Sequence, residues 1–209
     1  MNLNNSFLPI ISPFISILFL FGLHFLGYLV TKILNIKKYI SSVSNINFQY
    51  SLIGIFFSTY VLYFIIINNL FNFLTIKIIS FSILVLGLIF LIKESKKIKV
   101  IKFSTFKYEY YCIIIIIFSY LLISIGPITS ADSLDYHIGV PFYIINNESY
   151  PDLKFWIHST KAGAGEIFYT LPLINNAINL PGLTQIASIL SITGLLLNKN
   201  KINTYRKNF

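Results

Sequence analysis

The groups able to do acid–base chemistry are concentrated in one segment of this 209-residue chain. Five of the seven acidic residues and two of the three histidines lie between positions 132 and 166. A carboxylate beside a hydroxyl can act as a general base, and an imidazole can carry a proton or contact a phosphate. We therefore expect the chemistry of the protein in this segment.

A metal site is the chemical alternative for such a cluster, since carboxylates and imidazoles bind divalent cations. Neither H-x-x-x-H nor E-x-x-H occurs in the chain, so ligand spacing gives a divalent cation no support. The single cysteine, Cys112, excludes an intrachain disulfide and a thiolate metal site. We predict no cofactor.

The composition predicts an all-α polytopic membrane protein. The chain is 56% hydrophobic and 11% charged, with a mean hydropathy of +0.75. Soluble proteins average about 45–50% apolar and about 25% charged residues, so water is not the main solvent of this chain. The lysine run at 93–107 fits a juxtamembrane segment near anionic lipid, and no nucleic-acid partner is expected.

Hydrophobic runs long enough for a bilayer core predict about five membrane-spanning helices. Their expected limits are Phe7–Val30, Leu52–Ile67, Phe73–Ile92, Tyr111–Thr129 and Leu183–Leu197. The chain thus divides into four spans in 1–129, a long loop at 130–181, and a fifth span with a basic tail at 182–209. His24, inside the first span, is interpreted as a packing residue.

The loop itself predicts short amphipathic helices on the membrane surface. An apolar stripe follows helical spacing in the stretch 133–146, although Pro141 opposes a regular helix there. A second helix is expected to begin near Glu166, after the glycines of Lys161–Gly165.

The basic residues predict the orientation of the chain. Of the 16 lysines and arginines, 13 follow the first, third and fifth spans, and three lie on the opposite side. The positive-inside rule then places the amino terminus and the 130–181 loop outside the cytoplasm. We expect an integral protein of the bacterial inner (cytoplasmic) membrane.

Two strings in the loop follow a known pattern: D-S-L-D-Y-H-I-G-V-P from Asp132, and G-E-I-F-Y from Gly165. They resemble the first large external loop of GT-C glycosyltransferases, such as the protein mannosyltransferase-like and aminoarabinose transferase-like families. A bacterial form of that motif is roughly Asp-x-x-x-Tyr-His-x-x-x-Pro with a later Glu-x-x-Tyr. The chain matches it at Asp132, Tyr136, His137, Pro141, Glu166 and Tyr169.

The resemblance implies transfer of a sugar from a polyprenyl-phosphate-linked donor to a cell-envelope acceptor. Asp132 is then the catalytic residue, as the general base for the acceptor hydroxyl. The residues expected to bind substrate through hydrogen bonds or phosphate contacts are Asp135, Tyr136, His137, Lys161, Glu166 and Tyr169.

Simpler roles stay open for the same residues. Asp132 can be a helix N-cap, and Asp135 and Glu166 can be acids favoured in a first helical turn. The chain is also shorter than such enzymes, so it is expected to be an amino-terminal part or a truncated copy, with a membrane partner supplying missing helices. The alternative function is a non-catalytic membrane subunit or transport-related protein whose loop docks a partner or polymer.

Overall fold

The chain folds into helices throughout the part that can be described. The computed structural model describes residues 11–35, 49–96, 108–126, 137–151 and 163–206. Within these ranges there are seven helices and no strand, which confirms the all-α class. The helices are α1 Ile11–Ile33, α2 Tyr50–Ile67, α3 Phe73–Ser95, α4 Tyr108–Ile125, α5 Gly139–Asn147, α6 Ala164–Ile174 and α7 Leu180–Arg206.

Helices occupy all five predicted spans, but they differ in apolar length. Among the described helices, α1 and α3 are each 23 residues long and apolar enough to cross a membrane. The apolar stretches of the other three are shorter, at Tyr50–Ile66, Ile114–Ile125 and Leu180–Thr193. Two helices therefore support a membrane protein, while the number of spans and their orientation stay predictions.

Two glycine pairs set the packing of α1 against α2 and α3. Gly27 of α1 faces Gly54 of α2, and a Cβ atom on either glycine would overlap a carbonyl oxygen of the other helix. Gly22 of α1 and Gly87 of α3 form the second crossing in the same way. Small residues allow this close approach of membrane helices, so the four glycines fix how α2 and α3 lie on α1.

Gly54→Ala is expected to destabilise the protein by about 1–3 kcal/mol, because the added methyl group overlaps the Leu23 carbonyl and forces the helices apart. Gly165→Ala is the matched control, since a Cβ atom there has no described neighbour within 4 Å. Alanine in that helix should instead add about 0.5–1 kcal/mol of stability. Thermal unfolding in detergent measures both variants, and equal midpoints would contradict the close crossing.

The loop helices α5 and α6 pack against each other, and α6 also packs on α2 and α3. Val140 and Ile144 of α5 are fully buried. Phe168 and Leu171 of α6 are at most 2% exposed. All four belong to the same apolar core as residues of α1, α2 and α3. The apolar stripe of the loop is therefore part of the protein core as well as of an amphipathic helix.

Pro141 lies near the start of the first loop helix, and a π-helical turn at residues 137–138 directly precedes that helix. Within the described residues, α5 starts at Gly139, which makes Pro141 its third residue. Proline is tolerated in the first helical turn, where its missing N–H would have no intrahelical acceptor. Pro141 is thus accommodated close to the point where the chain changes from π-helical to α-helical geometry.

A buried polar cluster joins the ends of α1, α4 and α7. The Asn179 amide nitrogen donates to three carbonyl oxygens at the end of α4, those of Ser124, Ile125 and Gly126, at 3.0 to 3.2 Å. The Ser12 hydroxyl of α1 donates to Asn179 Oδ1 at 2.7 Å. Carbonyl oxygens at a helix end lack intrahelical hydrogen-bond donors, and the Asn179 amide supplies the missing donor. Gly126, the last described residue before the segment that carries Asp132, is therefore held beside the start of α7.

Candidate functional site

The structure describes three of the seven predicted site residues, namely His137, Glu166 and Tyr169. The other four lie outside the described residues: Asp132, Asp135, Tyr136 and Lys161. We also predict that the three acids at 132, 135 and 166 converge on one cavity, and of these the described residues include only Glu166. The described part of the site is the pair of loop helices.

His137 and Glu166 form a hydrogen-bonded pair across these helices. His137 Nδ1 lies 2.6 Å from Glu166 Oε1. Glu166 is only 8% exposed, whereas the His137 side chain is 40% exposed. A carboxylate that accepts from Nδ1–H fixes the ring orientation and, in the neutral imidazole, leaves the lone pair on Nε2. This is the geometry of a histidine oriented by a carboxylate.

The second oxygen of Glu166 caps the helix that carries it. Glu166 is the third residue of α6, and its Oε2 accepts from the Gly163 backbone N–H at 2.5 Å. A carboxylate in this position satisfies a backbone N–H near the helix start and interacts favourably with the helix dipole. Glu166 thus has the structural role expected of a first-turn acid and, in addition, holds His137.

Two tyrosines that interact with Glu166 have raised pKa values, mainly because they are buried. Burial raises the pKa of the Tyr169 hydroxyl; a hydrogen bond with Thr184 opposes this, and the carboxylate of Glu166 adds to the rise. Burial also raises the pKa of Tyr150, again with a contribution from Glu166. Both phenols are therefore protonated near neutral pH, as donors rather than phenolates. Tyr150 carries no sequence signal that would have assigned it to the site.

A buried serine fixes the far end of α6 on α3. The Ser80 hydroxyl donates to the Leu171 carbonyl oxygen, and the Asn175 amide nitrogen donates to Ser80 Oγ at 2.6 Å. The Leu171 carbonyl needs this partner because the Asn175 backbone N–H bonds to Pro172 instead. Ser80 is fully buried, so the contact holds α6 at a fixed position on α3.

Glu148 ties α5 to the first turn of α3. Its Oε1 accepts from the Phe73 backbone N–H at 3.1 Å, beside the Asn72 side chain that accepts from Leu74 at 2.8 Å. Glu148 itself has a φ of 53° and ends α5 in a left-handed conformation. Carboxylates are favoured at helix amino termini, so this contact also positions the loop helices at the start of α3.

An apolar groove runs along α2 to the start of α6. Its volume is about 420 Å³. Ala164 and Gly165, which immediately precede Glu166, line one end, and α2 residues from Leu52 to Tyr63 line the rest. The groove is therefore suited to an aliphatic chain whose polar end lies near α6.

Metal ligands are not assembled in the part of the chain that the structure describes. No three side chains of histidine, cysteine, aspartate or glutamate come together there in a way that could hold a metal ion.

Comparison with protein families matches residues 90–208 to the DUF1420 N-terminal domain. The matched region starts near the end of α3 and includes α4, both loop helices and α7. Searches of curated proteins and of solved structures gave no match.

Proposed function

The chain belongs to the DUF1420 N-terminal domain family, and we propose that its loop helices form part of the active site of a GT-C-like membrane glycosyltransferase. The observation that carries the proposal is the His137–Glu166 pair, which joins the two motif strings of the loop by a hydrogen bond. Both residues match that motif, and folding brings them into contact across 29 positions of sequence.

The proposed reaction moves a sugar from a lipid-linked phosphate to an acceptor hydroxyl. The bond between the anomeric carbon and the phosphate oxygen breaks, a new bond to the acceptor oxygen forms, and the acceptor loses its proton. Asp132 takes that proton as the general base. Negative charge develops on the departing phosphate, where His137, as an imidazolium that donates from Nε2–H, and Lys161 stabilise it.

Two features of the described residues support the proposal. The groove of about 420 Å³ beside Ala164 and Gly165 offers an apolar surface for the lipid part of the donor. The protonated Tyr150 and Tyr169 hydroxyls provide donors for the sugar or for Glu166.

The proposal includes five membrane spans, α1 to α4 and α7, with the loop helices on the extracytoplasmic side. The basic residues support this orientation, since 13 of 16 fall on one side when the spans alternate. The packing of α1, α2 and α3 at glycine pairs is typical of helices in a bilayer.

Cysteine accessibility in intact cells tests the orientation. In a Cys112→Ser background, Ser149→Cys should react with a membrane-impermeant maleimide, and Ser95→Cys should react only after permeabilisation. Labelling of position 95 but not 149 in intact cells would overturn the proposed topology.

Sugar transfer tests the function directly. Membranes of cells that express the protein should transfer radiolabelled sugar from a native lipid extract to cell-envelope acceptors, above the level of membranes without it. If the inserted and folded protein gives no protein-dependent transfer, the transferase proposal is wrong. That result would favour a non-catalytic membrane protein whose loop docks a partner or polymer.

A further inference from the structure

A second polar site lies at the end of the helical bundle away from the loop helices. α1 extends from Ser12, in the buried polar cluster, to His24 about 18 Å further along the helix. There a cavity of about 290 Å³ is lined by His24 and Tyr28 of α1, Tyr50 of α2, and Lys93 and Glu94 of α3. One cation and one anion therefore face the same cavity, far from the residues proposed for catalysis.

An apolar cavity of about 310 Å³ lies directly beside it. His24 and Phe90 line both cavities, so the two share a wall. The remaining lining of the second cavity is mainly aliphatic, from Leu20 of α1 and Ile186 and Leu190 of α7. A polar chamber next to an apolar one matches a molecule with a charged head and a hydrocarbon tail.

We propose that this double cavity binds a phospholipid with a zwitterionic headgroup, in the leaflet opposite the loop helices. The phosphate contacts Lys93 and Tyr50, the headgroup ammonium contacts Glu94, and an acyl chain fills the apolar cavity. The site goes beyond the proposed transferase function and requires only that the bundle lies in a membrane.

The cationic side of the site is positioned by aromatic rings. Lys93 Nζ lies 5.8 Å from the Phe25 ring centre and 5.7 Å from that of Tyr28. Such cation–π contacts orient the ammonium group of Lys93 and leave its N–H donors able to bind a phosphate oxygen. Glu94 follows in the same helical turn, so the paired charges match a headgroup with no net charge.

Tyr50 gives independent support for a ligand. It is only 4% exposed, and its hydroxyl has no hydrogen-bond partner among the described residues. A buried polar group without a partner is costly, and a phosphate oxygen in the cavity that Tyr50 lines would supply the missing acceptor. The Tyr50 ring is held edge-on against His24, whose Nδ1 is 3.1 Å from Ser51 Oγ.

Native mass spectrometry of the purified protein, titrated with dioleoyl phosphatidylethanolamine, measures the binding. Lys93→Gln should weaken it about tenfold and Tyr50→Phe about threefold, the scale of one charged and one neutral hydrogen bond. Lys77→Gln is the matched control, because Lys77 makes the same kind of contact, 5.7 Å from Phe73, at the other end of α3. Tyr120→Phe controls for tyrosine replacement at an exposed position of α4, and neither control should change the affinity.

Headgroup and chain requirements separate this site from general lipid adhesion. Wild-type protein should prefer phosphatidylethanolamine over dioleoyl glycerol and over chain-free glycerophosphoethanolamine, and Glu94→Gln should shift the preference towards phosphatidylglycerol. Equal binding of all probes by the wild type would overturn the proposal. So would equal losses in Lys93→Gln and Lys77→Gln when both variants unfold at the wild-type temperature.

Discussion

Asp132→Asn is expected to reduce sugar transfer by about 10²–10⁴-fold while the protein still inserts into the membrane, because loss of a general base has an effect of that size. Asparagine keeps the shape of aspartate and is an equally good helix N-cap, so a capping role would survive the change. A pure capping role therefore predicts unchanged transfer, and a catalytic role predicts its loss. Transfer from a native lipid extract, normalised to the amount of inserted protein, measures the difference.

Asp152→Asn is the matched control for this variant, since Asp152 lies in the same acidic loop but outside both motif strings. It should retain transfer within about twofold, as expected of a substitution away from the reacting groups. Full activity of Asp132→Asn would remove Asp132 as the base. Equal loss in both variants would indicate that the loop needs its negative charge rather than one particular carboxylate.

The positions of the helices follow from the hydrophobic runs, but several of their ends do not. The apolar residues of the fifth span predict an end at Leu197, yet α7 continues to Arg206. A helix is held by its own backbone hydrogen bonds, so it can extend beyond the apolar segment into a stretch rich in lysine and asparagine. Apolar runs locate a membrane segment and leave the length of its polar extension open.

The packing of the loop helices is harder to predict than their existence. A first-turn acid predicts that a helix begins near Glu166, and α6 does begin two residues earlier, at Ala164. No local pattern indicates that Ser80 would bond to the Leu171 carbonyl, 91 residues away. Such contacts depend on which apolar faces meet, and that is decided by the whole core.

The same reason explains why the His137–Glu166 pair was not predicted. The two residues were assigned separately to substrate binding, and their separation of 29 positions gives no periodic signal. They meet because Val140 and Ile144, which follow His137 along the chain, are buried in the same core as Phe168. The motif therefore identifies the two residues, and the packing of α5 on α6 brings them together.

His137→Ala should cost about 1–3 kcal/mol of stability, because it leaves the buried Glu166 carboxylate without one of its two observed partners. Partial exposure of His137 places the effect towards the lower end of that range. Glu166→Gln should cost less, since glutamine is neutral and its carbonyl oxygen can still accept from the Gly163 N–H. Thermal unfolding of the single and double variants measures the coupling between the two side chains.

Transfer activity then separates a structural pair from a catalytic one. If His137 stabilises the departing phosphate, His137→Ala should slow transfer about a hundredfold, and Glu166→Gln about tenfold through the loss of ring orientation. The double variant should be no slower than His137→Ala, because Glu166 acts through His137 and has nothing left to orient. His158→Ala, in the same loop but outside the motif, is the matched control and should transfer normally. A double variant whose losses simply multiply would show that Glu166 does not act through His137. Unchanged transfer in both single variants would show that the pair serves only to hold α5 against α6.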